Sequence, residues 1–214
     1  MSLDICEIFH SLQGESTWAG LPCVFVRLSG CNLNCSWCDT PYAATEAESM
    51  SIESIIETVS AFGCNLVEIT GGEPLIQKET PALISALLTK GFQVLLETNG
   101  SMSIAPVDPS CIRIMDIKCP SSNEPKSFLA SNFTHMTQQD EIKFVVGSRL
   151  DYTFARAIIQ NELAGHPMEH IHISPVFGQI LPEQLTEWIL EDKLKARLSL
   201  QQHKIIWDPD QRGV

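Results

Sequence analysis

Strand-like and helix-like stretches alternate along this chain, and that alternation limits its fold more than any other feature. "CVFVRL" (23–28) is β-branched and apolar, and "LVEIT" (66–70) reads as a second short strand. "FQVLLET" (92–98), "IRIMDIK" (112–118), "EIKFVV" (141–146), "HIHIS" (170–174) and "HKIIW" (203–207) complete the strand set. Helical patterns lie between them. In "SIESIIETVSAFG" Ile52, Ile55, Ile56, Val59 and Phe62 fall at helical spacing, with Ser51 as N-cap and Gly63 at the stop. "TPALISALLTKG" (80–91) places Pro81 in a first turn and Gly91 at the end; "YTFARAIIQNELAG" (152–165) and "PEQLTEWILEDKL" (182–194) follow. Such βα units build a parallel sheet. About seven strands and about five helices are too few for eight full repeats. The expected fold is therefore α/β: an incomplete, TIM-like (β/α) barrel, open on one side and occupying 1–214 as one domain.

Composition narrows the function. At 44% hydrophobic the chain can bury a sizeable core. Its 26 acidic against 14 basic residues leave a formal charge of −12, with no Lys/Arg run to hold a nucleic-acid backbone. No apolar stretch approaches the roughly 20 residues of a membrane span. "MSLDICEIFH" lacks a basic region followed by an apolar one, so the expectation is a cytoplasmic protein. Thiols stay reduced there, so the eight cysteines are not a disulfide framework. Cys6, Cys23, Cys64, Cys111 and Cys119 stand singly and read as small buried side chains.

The other three, Cys31, Cys35 and Cys38, crowd into "GCNLNCSWCDT" (30–40). A closed zinc site wants four ligands, usually as two short pairs, and no second pair stands nearby. A disulfide leaves one thiol over. Three thiolates suit a cubane iron–sulfur cluster with one iron left open for a ligand. The loop follows the first barrel strand, and "GGEP", "TNG", "CPSS" and "SPVFG" each follow a later one. In α/β folds of this kind, chemistry gathers at these strand ends.

C-x3-C-x-(aromatic)-C after one strand and "TGGEP" after the next resembles the radical S-adenosylmethionine (SAM) enzymes. The resemblance implies a [4Fe–4S] cluster on Cys31, Cys35 and Cys38. It also implies SAM chelated at the open iron and cleaved by one electron to a 5′-deoxyadenosyl radical. Cleaving a sulfonium needs the low end of the roughly −700 to +450 mV range of such clusters. A flavodoxin- or ferredoxin-like donor is therefore expected.

A closer resemblance runs through "IFHSLQGES", "EITGGEPLIQ", "LLETNGS", "MDIKCPSS", "DEIKFVV" and "HKIIWDPDQRGV". These stretches are similar to the radical SAM family that contracts 6-carboxy-5,6,7,8-tetrahydropterin to 7-carboxy-7-deazaguanine. That reaction loses ammonia and lies on the queuosine and deazapurine route. The resemblance implies a small homodimer using SAM, one cluster and Mg²⁺. It implies substrate contacts at Leu12, Gln13, Gly14, Glu15, Arg27, Thr70, Glu97 and Asn99. SAM contacts are implied at Trp37, Cys38, Asp39 and Gly72, at Asp116, Ile117 and Lys118, and at Ser174 and Pro175. Thr40 is implied for Mg²⁺, with Asp39 as the alternative ligand. One position departs: Ser16 stands where the family has glycine, "QGES" for "QGEG".

Arg27 stands out on physical grounds too. A charge inside "VFVRLSG" is expensive unless paired, so it serves either a structural ion pair or a ligand anion. Two other readings of the chain remain. A glycyl-radical activase shares the cysteine spacing but gives no reason for Arg27, "QGE" or the "WDPDQRGV" tail; a non-catalytic zinc or iron–sulfur module is the other, and metal analysis separates iron with acid-labile sulfide from colourless zinc.

Overall fold

A computed structural model describes residues 1–214. Nine strands form one sheet: β1 (Ser2–Leu12), β2 (Pro22–Leu28), β3 (Glu48–Ser51), β4 (Leu66–Gly71), β5 (Gln93–Thr98), β6 (Ile112–Asp116), β7 (Glu141–Val146), β8 (Ile171–Pro175) and β9 (Arg197–Leu198). Their spatial order is β3-β1-β2-β4-β5-β6-β7-β8-β9. From β2 through β9 every neighbouring pair is parallel, whereas β1 runs antiparallel to β2 and β3. β3 and β9 are unjoined edges, so the barrel is incomplete. No helix is long and apolar enough to cross a membrane.

The helices follow the apolar spacing. In α1 (Ile52–Ala61) the Ser51 hydroxyl accepts from Ser54 N, and Ile52, Ile55 and Val59 are buried. α2 (Thr80–Thr89) carries proline in its first turn. α3 begins at Arg149 rather than Tyr152, because Ser148 caps it by accepting from Asp151 N, and runs to Asn161. α4 is Pro182–Glu191.

Strand alternation sorts the core into an outer and an inner face. Val24, Val26 and Leu28 of β2 point outward, with Val67 and Ile69 of β4, beneath α1 and α2. The outer faces of β7 and β8 pack similarly against α3 and α4. Inside, Cys23, Phe25, Leu66, Leu95, Ile112 and Ile114 form an apolar floor. On the β7–β8 side the floor is polar instead, with Glu141 and His172 both fully buried.

One expected strand is corrected. "HKIIW" contains the short helix α5 (His203–Ile206), and the last parallel strand is the two-residue β9. Ile205 and Ile206 are exposed, so no neighbouring strand covers them, and a short apolar run cannot be told from a helical turn by periodicity. β1 was not among the expected strands. Its hairpin with β2 pairs Leu12 with Pro22, so the connecting residues 13–21 lie at the N-terminal end of the parallel strands.

Candidate active site

The C-terminal ends of the parallel strands open into a cavity of about 400 Å³. Arg27 of β2, Thr70 of β4, Glu97 of β5, Asp116 of β6 and Lys143 of β7 all line it. Register sets Arg27 beside Thr70 and Asp116 beside Lys143. Cys31, Cys35 and Cys38 face the same space from the loop after β2.

Neighbouring loops hold that cysteine loop in place. Gly30 N donates to Ala43 O at 2.7 Å, and Gly30 O accepts from Glu73 N at 3.0 Å. Ser36, between two of the cysteines, donates from its hydroxyl to Ser121 O and from its N–H to Ser122 O. The buried Glu73 carboxylate accepts from Leu75 N, Thr98 Oγ1 and Asn99 N, tying "GGEP" to "ETNG". Burial pushes the Cys31 and Cys35 thiols up, while the Lys118 ammonium draws Cys35 back down. No group of three Cys, His, Asp or Glu side chains is placed to hold a single metal ion. A cubane takes one iron per thiolate, so three thiols spread around one wall fit it.

Arg27 serves its own sheet and the cavity at once. Its Nε donates to Glu7 Oε1 at 2.8 Å, and Tyr42 donates to the same oxygen at 2.9 Å. Glu7 takes only Nε. The two terminal nitrogens keep the fork that a carboxylate accepts.

Lys143 gathers the carboxylates opposite. Its Nζ lies 2.8 Å from Glu15 Oε2, 2.5 Å from Glu97 Oε1 and 3.6 Å from Asp116 Oδ2. Burial alone would raise the Glu15 carboxyl, but Lys143, with Gln201 donating at 2.9 Å, holds it at about 2. Glu68 behaves oppositely: burial, reinforced by Glu97, pushes it well above the usual carboxylate range. The Gln13 amide donates to Glu68, and its oxygen accepts from Glu15 N at 2.8 Å. Lys118 pairs with Asp116 at 2.9 Å.

The C-terminal segment closes the far side. A Cβ on Gly14 would lie 2.6 Å from His203 Nδ1, so only glycine lets α5 rest on that loop. Lys204 pairs with Asp39 at 2.9 Å. Arg212 forks onto Glu46 at 3.1 and 2.6 Å, with its guanidinium 3.5 Å from the Tyr42 ring centroid. Pro209 to Val214 line the mouth.

Of the residues expected from sequence, Leu12, Gln13, Gly14, Glu15, Trp37, Asp39, Thr40, Gly72, Asn99 and Lys118 also line the cavity. Ile117, Ser174 and Pro175 do not: all three are buried, and Val176, Phe177 and Gln179 stand at the wall near them. Glu68 and Lys143 were missed, although each carries the signal that marks Arg27, a charge inside an apolar strand. Gln201, Lys204 and Arg212 have no such local signal, since only the folded C-terminal segment brings them here.

Residues 25–110 match the radical SAM superfamily. With the three thiols at the open end of an incomplete barrel, that match defines the protein as a radical SAM enzyme, and with the class come a [4Fe–4S] cluster and SAM as cofactors. The 7-carboxy-7-deazaguanine synthase of Chlorobaculum tepidum is 47% identical over 99% of this chain and 97% of its own length. That of Koribacter versatilis is 41% identical over 99% and 100%. The crystal structure of QueE from Escherichia coli superposes with a TM-score of 0.78 at 26% identity, covering 95% of each chain. The chain belongs to the 7-carboxy-7-deazaguanine synthase family.

Proposed function

We propose that this chain converts 6-carboxy-5,6,7,8-tetrahydropterin to 7-carboxy-7-deazaguanine with loss of ammonia, on the route to queuosine and other deazapurines. One observation carries the reading beyond family membership. The open guanidinium fork of Arg27 shares a cavity with three cysteine thiols, as a carboxylated substrate beside a cluster requires. When bound, the cluster and SAM supply one-electron chemistry that delivers a hydrogen-abstracting 5′-deoxyadenosyl radical.

The protein's own side chains bind and orient. Cys31, Cys35 and Cys38 would hold the cluster, and Trp37, Asp39, Gly72, Asp116 and Lys118 would face SAM. Arg27 takes the substrate carboxylate through two parallel hydrogen bonds. Glu15 and Glu97 accept ring N–H groups, with Lys143 keeping Glu15 ionised and therefore acceptor-only. Gln13, Gly14, Thr70 and Asn99 frame the ring, and Leu12 packs beside it. Thr40 would supply one oxygen to Mg²⁺. The segment from Pro209 to Val214 covers the mouth and excludes water. A flavodoxin- or ferredoxin-like donor and a homodimer belong to the same reading and rest on the resemblance, whereas a single domain and a cytoplasmic setting rest on sequence pattern and composition.

The test is direct. Reconstituted protein, incubated anaerobically with SAM, a reductant and carboxytetrahydropterin, should yield 7-carboxy-7-deazaguanine and ammonia, and neither without SAM. Cleavage of SAM with no deazapurine would overturn the assignment of substrate.

A further inference from the structure

Two ionisable residues, Glu141 and Lys143, stand one strand repeat apart on the inward face of β7. The loop after β1 offers a matching pair, Glu15 and Thr17, on either side of Ser16. The two pairs meet. Lys143 Nζ donates to Glu15 Oε2 at 2.8 Å. Thr17 donates its N–H to Glu141 Oε2 at 2.9 Å and its hydroxyl to Glu141 Oε1 at 2.5 Å. Between these anchors Ser16 is held at φ 65°, in the left-handed region that a non-glycine residue avoids.

Glu141 lies beneath the cavity and is not part of its wall. It is fully buried, as is His172 of β8, whose Nε2 lies 2.6 Å from Glu141 Oε2. A carboxylate there is expensive unless every donor is in place. Elsewhere this floor is apolar, so packing alone does not call for an ion pair. Burial would raise the Glu141 carboxyl, but His172 and the two Thr17 donors bring it below its ordinary value. The one segment it holds besides its own sheet is the Thr17 end of the loop.

We propose that Glu141, braced by His172, is a positioning residue for the substrate. Acting through Thr17, it fixes the Ser16 turn so that Glu15 meets both Lys143 and the ligand. The proposal rests on the reading of Gln13 to Glu15 as the substrate loop. Freed at Thr17, Ser16 would relax to negative φ and swing the Glu15 carboxylate out of register with Lys143. Glu141 itself touches no substrate.

Three changes in the reconstituted holoenzyme test this. Thr17→Val removes one donor at the edge of the floor, Thr17→Ser restores it, and Glu141→Gln replaces an acceptor oxygen with a donor. Thr17→Val and Glu141→Gln should raise KM for carboxytetrahydropterin about tenfold, the scale of one charge-assisted hydrogen bond. Iron content and SAM affinity should hold at wild-type values, and Thr17→Ser should return KM to normal. Should Thr17→Val lower Tm while KM stays unchanged, Glu141 is merely structural and the proposal is overturned. Glu15→Gln separates the two levels. If it leaves KM unchanged, the substrate-loop reading itself falls and takes this proposal with it. If it raises KM while Thr17→Val does not, only the role of Glu141 falls.

Discussion

A Cβ placed on Gly72 would lie 2.4 Å from the carbonyl oxygen of Gly30 and 2.5 Å from Cys31 Cβ. The strand-end glycines therefore answer first to protein backbone, since only a bare Gly72 lets the cysteine loop lie on the end of β4. Gly72→Ala must push that loop outward. Iron bound after reconstitution should fall well below wild type. Gly165→Ala, where a Cβ meets nothing within 4 Å, should bind iron normally. Full iron in Gly72→Ala would show that the loop is not held at this point.

Ser16 tests a different backbone constraint. Its φ of 65° disfavours an L-residue by about 1–2 kcal/mol, partly offset by the roughly 0.5–1 kcal/mol of extra entropy that glycine loses on folding. The hydroxyl also accepts from Trp18 N at 3.2 Å, a bond that glycine forgoes. Ser16→Gly should raise Tm by about 2 °C. Ser16→Val, β-branched at positive φ, should lower it and weaken substrate binding. A lower Tm for Ser16→Gly would mean that the Trp18 bond outweighs the strain.

How much of this was legible beforehand depended on the range of the interactions. β2 and β4 to β8 declare themselves through β-branched apolar runs, and α1 through Ser51 and the spacing of Ile52, Ile55 and Val59. "HKIIW" failed because five residues cannot distinguish periods of 2 and 3.6. Arg27 was visible as a buried charge, yet Glu7 had to come from the antiparallel strand beside it before both of its roles could be seen. Lys143 and Glu68 were legible by the same logic. The cover formed by Gln201, Lys204 and Arg212 depends on contacts across more than 150 positions of sequence, and no local pattern encodes those.

For Arg27 the geometry separates stability from binding. Arg27→Lys keeps a cation beside Glu7 but cannot offer two parallel donors to a carboxylate. Tm should stay near wild type, while affinity for carboxytetrahydropterin falls by roughly 1.5–3 kcal/mol, the worth of one charge-assisted hydrogen bond. A tetrahydropterin lacking the carboxylate should bind the variant and the wild type alike. Equal affinity of both proteins for the carboxylated substrate would leave Arg27 as an ion pair with Glu7 and nothing more.

Glu15 predicts an acid dependence. Its folded-state pKa of about 2 lies below its ordinary 4.5, because Lys143 and Gln201 overcome the effect of burial. The stability it contributes is thus complete above about pH 4.5 and is lost as pH falls toward 2. Wild type should lose more denaturation free energy than Glu15→Gln between about pH 5 and pH 3. Parallel curves for the two proteins would remove Glu15 from the Lys143 pair.

Thr40 carries the prediction for magnesium. It precedes a short 3-10 turn at Pro41–Ala44, yet its side chain makes no capping hydrogen bond there. The hydroxyl is therefore not committed to the backbone, and the residue lines the cavity two positions after Cys38. The neighbouring Asp39 is already paired with Lys204 at 2.9 Å, which leaves Thr40 the freer oxygen. Mg²⁺ takes six oxygens at about 2.0–2.1 Å and keeps waters readily, so one neutral hydroxyl suffices when substrate and water fill the remaining positions. The ion would then orient the substrate and stabilise charge during the ring contraction. Added Mg²⁺ should raise wild-type turnover severalfold. Thr40→Val, which keeps the shape and removes the oxygen, should abolish that stimulation while iron content and the visible absorption of the cluster stay unchanged. Equal stimulation of the two proteins would move the metal away from Thr40.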